Sequence, residues 1–97
     1  SSPGRGRIHY SPGIPIRLNA VKIKKDEAFI LIKKKKENNK NYFYLSKTNN
    51  LMESSKNLYK TLRKIKKLGY RKIAVQRIPN RNFGLVINDR LLRASKK

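Results

Sequence analysis

The run AFILI, from Ala28 to Ile32, restricts the fold more than any other feature of the sequence. It is short for a helix, and its β-branched residues favour a strand. Because no polar residue alternates with the apolar ones, the strand is predicted to be buried on both faces, as strands of parallel sheets are. The run KIAVQRI (Lys72–Ile78), with Ile73, Ala74 and Val75 at its centre and Pro79 at its end, predicts another strand.

Two further strands are predicted from shorter patterns. In IPIRLN, Ile16 and Leu18 alternate with polar residues, which is typical of a half-buried strand. YFYL (Tyr42–Leu45) follows a polar turn over residues 33–41 and is rich in residues that favour a pleated surface. Its alternation places Tyr42 and Tyr44 on one face, where packing is a better explanation than base stacking.

Two helices are predicted from the spacing of apolar residues. Asn50 and Glu53 form a variant of the capping box, and Gly69 supplies the stop. The apolar stripe of this helix consists of Leu51, Ser55, Leu58, Leu62, Ile65 and Leu68. A second helix begins near Asn82, and its apolar face consists of Phe83, Ile87, Leu91 and Ala94. Asp89 and Arg93 are expected to form an exposed pair on it.

The order strand, strand, strand, helix, strand, helix predicts a small α/β fold. We expect a three-layer or two-layer Rossmann-like domain, with a mostly parallel sheet of about four strands and two main helices. The strand–helix–strand part predicts a right-handed crossover to a parallel neighbour. Residues 1–14, which contain Pro3, Gly4, Gly6 and Pro12, are predicted to be an arm or linker, and residues 15–97 the α/β domain.

Charge and composition exclude some classes of function and favour others. The chain has 26 Lys and Arg against five acids, a formal net charge of +21, which predicts contact with phosphate unless it reflects only a biased composition. Without cysteine there is no disulfide or thiolate metal site, and the lone histidine, His9, has no partner ligands for a metal. No nucleophile–base pair is visible. No run is apolar enough to span a membrane, so a cytoplasmic location is expected.

Two groups of lysines are candidates for phosphate or RNA contact. The first is the run Lys33, Lys34, Lys35 and Lys36, which is more typical of a solvated hairpin tip. The second is the pair Lys60 and Lys64, which lies off the apolar stripe of the first helix. A solvated helix face is again the simpler interpretation.

Motifs along nearly the whole chain give it a family resemblance. They are Pro3-Gly4 followed by His9-Tyr10-x-Pro12, then IPIRLNA, NLYKTLRKIKKLGY, IAVQRIP and FGLVINDRLLRAS. In this order and spacing they resemble the interdomain linker and C-terminal domain of long-form threonylcarbamoyl-AMP synthase. The linker departs from the family pattern at Arg5-Gly6-Arg7, where the family usually has Met after Pro-Gly.

The resemblance implies an accessory role. The full synthase would make threonylcarbamoyl-adenylate from L-threonine, bicarbonate and ATP with Mg, for modification of tRNA. Catalysis would belong to a separate N-terminal domain, which would be the partner of this one, with nucleotide at the interface. The linker would act as a lid, with Arg7, His9 and Tyr10 contacting nucleotide, and this domain would hold no cofactor or metal of its own. The alternative from charge alone is an independent basic RNA-binding or tRNA-binding module.

Overall fold

A computed structural model describes residues 13–33 and 35–95 of the chain. The strands are β1 (Ile16–Ala20), β2 (Ala28–Leu31), β3 (Tyr42–Tyr44) and β4 (Ile73–Gln76). The helices are α1 (Leu51–Lys67) and α2 (Phe83–Ser95). All six predicted elements are present in the predicted order, so the α/β class is confirmed.

The four strands form one parallel sheet in the order β1-β4-β2-β3. Two local predictions are wrong. The lysine run is not a hairpin tip, because β2 and β3 are parallel and the chain must return along the sheet between them. The strand that follows α1 is not the neighbour of β3, because β2 lies between β3 and β4.

Alternation along β2 divides the core into two clusters. Ala28 and Ile30 face a large cluster that contains the buried side chains of both helices. Phe29 and Leu31 face a small cluster on the opposite side, to which no helix in the described chain contributes. Residues 13–33 and 35–95 therefore form two layers. Both α1 and α2 lie on what we call the helix face, and only connecting segments of this part of the chain lie on what we call the open face.

A bulge interrupts β1 near its carboxyl end. Asn19 has a positive φ of 55°, and the register with β4 shifts between Arg17 and Ala20. Ile16 and Leu18 share one side of the strand as predicted, and both pack on the helix face. The extra residue allows Ala20 to join the small cluster of the open face, which simple alternation does not predict.

The start of α1 follows the predicted cap with one added participant. The Asn50 side chain accepts a hydrogen bond from the Glu53 N–H at 3.0 Å. The Glu53 carboxylate does not bond back to the Asn50 N–H; Ser46 Oγ accepts from that N–H at 2.9 Å and donates to Glu53 at 2.6 Å. At the other end, Gly69 has φ +93° as a stop requires, but Leu68 is exposed and does not belong to the buried stripe.

A glycine sets the position of α2. A Cβ on Gly84 would lie 1.8 Å from the carbonyl oxygen of Pro79, so the first turn of α2 can approach the loop after β4 only without a side chain there. Ile87, Leu91 and Ala94 are buried as predicted, whereas Phe83 is 44% exposed and Gly84 takes its place on the buried face. The Arg90 guanidinium donates to the Ser55 carbonyl at 2.8 Å and joins α2 to α1.

Candidate functional site

The residues predicted as a lid, Arg7, His9 and Tyr10, lie outside the described residues. The structure begins just after them, and the Ile73 N–H donates to the Pro15 carbonyl at 3.0 Å. This bond fixes the point at which the N-terminal segment joins the sheet, at the amino end of the edge strand β1. Their role as nucleotide contacts remains a prediction.

The lysines of the 33–36 run do not share one environment. Lys33 and Lys36 are exposed, and Lys34 lies outside the described residues. Lys35 is half-buried: its Nζ lies 5.8 Å from the centroid of the Phe29 ring, and its N–H donates to the Tyr44 hydroxyl at 3.0 Å. One lysine of the run thus packs on the open face of the sheet, where its ammonium interacts with an aromatic ring.

The two lysines of α1 also differ in their surroundings. Lys60 and Lys64 are both exposed on α1, one turn apart. Lys64 lines a groove of about 400 Å³ between α1 and β3, while Lys60 is not among the residues that line it. Sequence spacing alone places the pair on one side of the helix, but only one of the two reaches the sheet edge.

Aromatic rings cover much of the open face near β3. Phe29 and Tyr42 are register partners, and their ring centroids are 5.7 Å apart at an angle of 73°. Tyr42 and Tyr44 are 6.4 Å apart at 90°. These edge-to-face contacts support the interpretation of the tyrosines as packing residues. Burial, followed by the neighbouring Glu37 carboxylate, raises the pKa of Tyr42 above its ordinary value.

An ion pair on the same face was not predicted from the sequence. The Arg17 guanidinium donates to both oxygens of the Glu27 carboxylate, at 2.8 Å and 3.2 Å, and the Lys24 N–H donates to one of them at 2.7 Å. The hydrogen bonds from Arg17 lower the pKa of Glu27, against the opposing effect of burial. Only the return of the chain between β1 and β2 brings these residues together, so local patterns contain no signal for the pair.

A second depression lies beside β1. It has a volume of about 300 Å³ and is lined near the ends of β1 and β4 by Leu18, Asn80, Asn88 and Leu92, among others. The Asn88 side-chain amide donates to the Ile78 carbonyl at 3.0 Å, which ties α2 to the end of β4. Leu85 and Leu92 lie seven residues apart on one side of α2, and each is about half exposed, at 50% and 51%.

Two other kinds of feature, a metal-binding cluster and a membrane-spanning helix, are absent from residues 13–33 and 35–95. No three His, Cys, Asp or Glu side chains in this part of the chain are close enough to hold a metal ion. Neither α1 nor α2 combines the length and apolar character that a bilayer-spanning segment requires. Asp89 and Arg93 form the expected exposed pair at 3.0 Å.

The geometry defines a small two-layer α/β domain with a basic groove at one sheet edge and exposed leucines on α2. A family model described as the C-terminal domain of threonylcarbamoyl-AMP synthase matches residues 1–96. The chain therefore belongs to the threonylcarbamoyl-AMP synthase C-terminal domain family, as the sequence motifs predicted. No curated protein and no solved structure matches it.

Proposed function

We propose that this chain is the accessory domain of a threonylcarbamoyl-AMP synthase and acts by docking on the catalytic domain. The observation that carries the proposal is the family match, which covers residues 1–96 and thus the N-terminal arm as well as the α/β domain. The catalytic domain would bind ATP, with Mg, and would form threonylcarbamoyl-adenylate from L-threonine and bicarbonate in the cytoplasm. This chain would supply the arm and a docking surface.

Exposed apolar residues support a protein partner. Leu85 and Leu92 on α2 are half exposed, and Val21 after β1 is 83% exposed. Exposed apolar side chains favour association with another protein surface, and Leu85 and Leu92 share one side of α2. The Ile73 N–H donates to the Pro15 carbonyl just before β1, and the arm is proposed to extend from this end of the edge strand.

The arm is proposed to close over nucleotide. Tyr10 offers a ring that can stack on a base, and Arg7 and His9 can donate hydrogen bonds to phosphate. These residue types suit contact with an adenylate.

The proposal is tested by adding the chain to a separately produced catalytic domain and measuring pyrophosphate release from ATP with threonine and bicarbonate. We expect no release by the chain alone and a gain when both are present. Tyr10→Ala is expected to reduce that gain about tenfold, whereas the neighbouring Ser11→Ala leaves it unchanged. Turnover by the chain alone, or an equal gain with both variants, contradicts the proposal.

The docking surface is tested with the same two separately produced proteins, by measuring their binding. Leu92→Glu places a charge among the exposed apolar residues of α2 and is expected to weaken binding to the catalytic domain. Met52→Glu is a matched control, because Met52 is similarly exposed, at 44%, on α1 instead of α2. Binding measured by calorimetry should fall for the first variant only.

The second candidate is an RNA-binding module, which the net charge of +21 favours. Titration with tRNA at several salt concentrations tests it. Binding that survives about 0.15 M salt supports the module, and binding that disappears steeply with salt indicates nonspecific attraction.

A further inference from the structure

Among the described residues no strand pairs with the outer edge of β3, and its backbone groups are arranged to pair with another strand. β3 is the last strand of the sheet, with β2 on one side only. The Phe29 N–H donates to the Asn41 carbonyl, and the Leu45 N–H donates to the Leu31 carbonyl. Because successive residues of a strand direct their backbone groups to opposite sides, the groups of Tyr42 and Tyr44 point away from β2.

Most of these outward groups have no partner within the described chain. The Tyr42 N–H donates to the Asn39 carbonyl at 3.0 Å inside the preceding turn. The Tyr42 carbonyl and both backbone groups of Tyr44 face the edge. An added strand would satisfy them, as in β-augmentation, where main-chain bonds give affinity and side-chain pockets give specificity.

Two depressions flank this edge, one on each face of the sheet. The first lies on the helix face and has the volume of about 400 Å³ given above; its α1 side consists of Thr61, Lys64 and Leu68. The second, of about 340 Å³, lies beside the loop before β3 and is lined by Asn38 and Asn39. Lys40, Tyr42 and Tyr44 line both. An added strand would direct successive side chains alternately into the two.

The ridge of α1 that borders the edge is fixed in place. Asn57, Thr61, Lys64 and Leu68 succeed one another along one side of the helix, at spacings of three and four residues. The Asn57 side-chain amide donates to the Leu45 carbonyl at 2.9 Å, just past the end of β3. The groove between α1 and β3 is therefore a formed feature with a polar anchor at one end and Leu68 at the other.

The charge of the groove selects the occupant. Lys40 and Lys64 line it, neither has an ion-pair partner among the described residues, and no acidic residue lines it. Asp26 lies in an adjoining depression, where Arg71 is also present. A second copy of this chain would bring another net charge of +21 to the edge, which disfavours self-pairing.

We propose that the β3 edge binds an extended acidic peptide segment of a partner protein as an added strand, with carboxylates beside Lys40 and Lys64. Apolar side chains of the segment would contact Phe43 and Leu68 on the helix face, or the tyrosines on the open face. This function is separate from docking on the catalytic domain, which we assign to α2.

The probe is a fluorescent octapeptide of alternating glutamate and valine, titrated against the whole chain at about 0.15 M salt and followed by anisotropy. Lys64→Glu is expected to weaken binding about tenfold. Lys60→Glu changes the net charge equally, one turn away and outside the groove, and is expected to weaken binding less than about twofold. Both lysines are exposed, so neither change should alter the circular dichroism spectrum.

A second peptide separates strand pairing from simple charge attraction. N-methylation of its four central residues removes backbone donors and leaves every carboxylate in place, and we expect binding to weaken about tenfold. The proposal is overturned if the octapeptide does not bind, if both lysine variants weaken it equally, or if the methylated peptide binds as well as the first. If octauridylate binds more tightly than the octapeptide and Lys64→Glu weakens its binding equally, the proposal is overturned and the edge is an RNA site.

Discussion

The two faces of the sheet are built from the same four strands but are stabilised differently. Among the described residues, the helix face buries thirteen side chains in one cluster, and the open face buries four, Ala20, Phe29, Leu31 and Ala74. Parallel sheets usually carry helices on both faces. Here connecting segments, an ion pair and edge-to-face rings take the place of a second helical layer.

The difference shows how a short chain can complete a parallel sheet. One register row crosses the open face as Arg17, Ala74, Phe29 and Tyr42, so it runs from a charged residue to an aromatic one. Connecting segments are enough to shield such a row from solvent, because the polar groups of Arg17 and Tyr42 at its two ends can contact water. The open face should accordingly contribute less to stability per residue and depend more on pH.

The largest expected effect is on the helix face. Gly84→Ala forces a Cβ to within 1.8 Å of the Pro79 carbonyl oxygen, so α2 must shift, and we expect a loss of about 3 kcal/mol or more. The measurement is the free energy of unfolding in urea. Gly69→Ala is the control: its Cβ meets nothing within 4 Å, and only its positive φ costs about 1–2 kcal/mol. Equal losses would show that the close approach of α2 is unimportant.

Adjacent residues of β2 give the most direct comparison of the two faces. Ile30 and Leu31 are both fully buried, and they point to opposite faces. Ile30→Ala is expected to cost about 4 kcal/mol, because two helices and a strand cannot collapse around the cavity. Leu31→Ala should cost about 2–3 kcal/mol, because the connecting segments can relax. The measurement is the free energy of unfolding in urea. A larger loss for Leu31→Ala than for Ile30→Ala would contradict the comparison.

The ion pair should make the stability of the open face depend on pH. Because Arg17 lowers the pKa of Glu27 in the folded state, the stabilisation is present at neutral pH and is lost as the pH falls below about 4. Glu27→Gln should cost about 1–2 kcal/mol at pH 7 and flatten the acid limb of the stability curve. Glu37→Gln, at an exposed position, should leave that limb unchanged. Identical acid limbs for the wild type and Glu27→Gln would contradict this account.

The smallest effect is expected inside α1. Ser54 is fully buried, and its hydroxyl has no hydrogen-bond partner among the described residues. Ser54→Ala should therefore leave stability unchanged or raise it by up to about 1 kcal/mol. The neighbouring Ser55 donates to the Met52 carbonyl at 2.8 Å, so Ser55→Ala should not stabilise. Thermal unfolding of the two variants distinguishes these outcomes, and a loss at Ser54 would indicate a partner.

Much of the candidate site lay beyond sequence reasoning. Lys60 and Lys64 are exposed, as a solvated helix face predicts, but helical spacing does not show that Lys64 lines the β3 groove and Lys60 does not. Nor does the sequence show that Lys35 packs over Phe29. The groove itself depends on α1 lying beside β3, which is a contact between segments far apart in the chain. Helical spacing predicts which residues share a side of a helix, but not which side meets an edge strand.

The sequence by itself determined the six elements, their order and the main signals at their ends. AFILI required a strand buried on both faces, and Asn50 and Gly69 delimited α1, because these signals act through the local backbone and its nearest side chains. Only the tertiary structure decided the strand order, the placement of both helices on one face, and the pairing of Arg17 with Glu27. These features depend on which surfaces from distant parts of the chain pack together. The free energy of that packing is not determined by the residues of any one short segment.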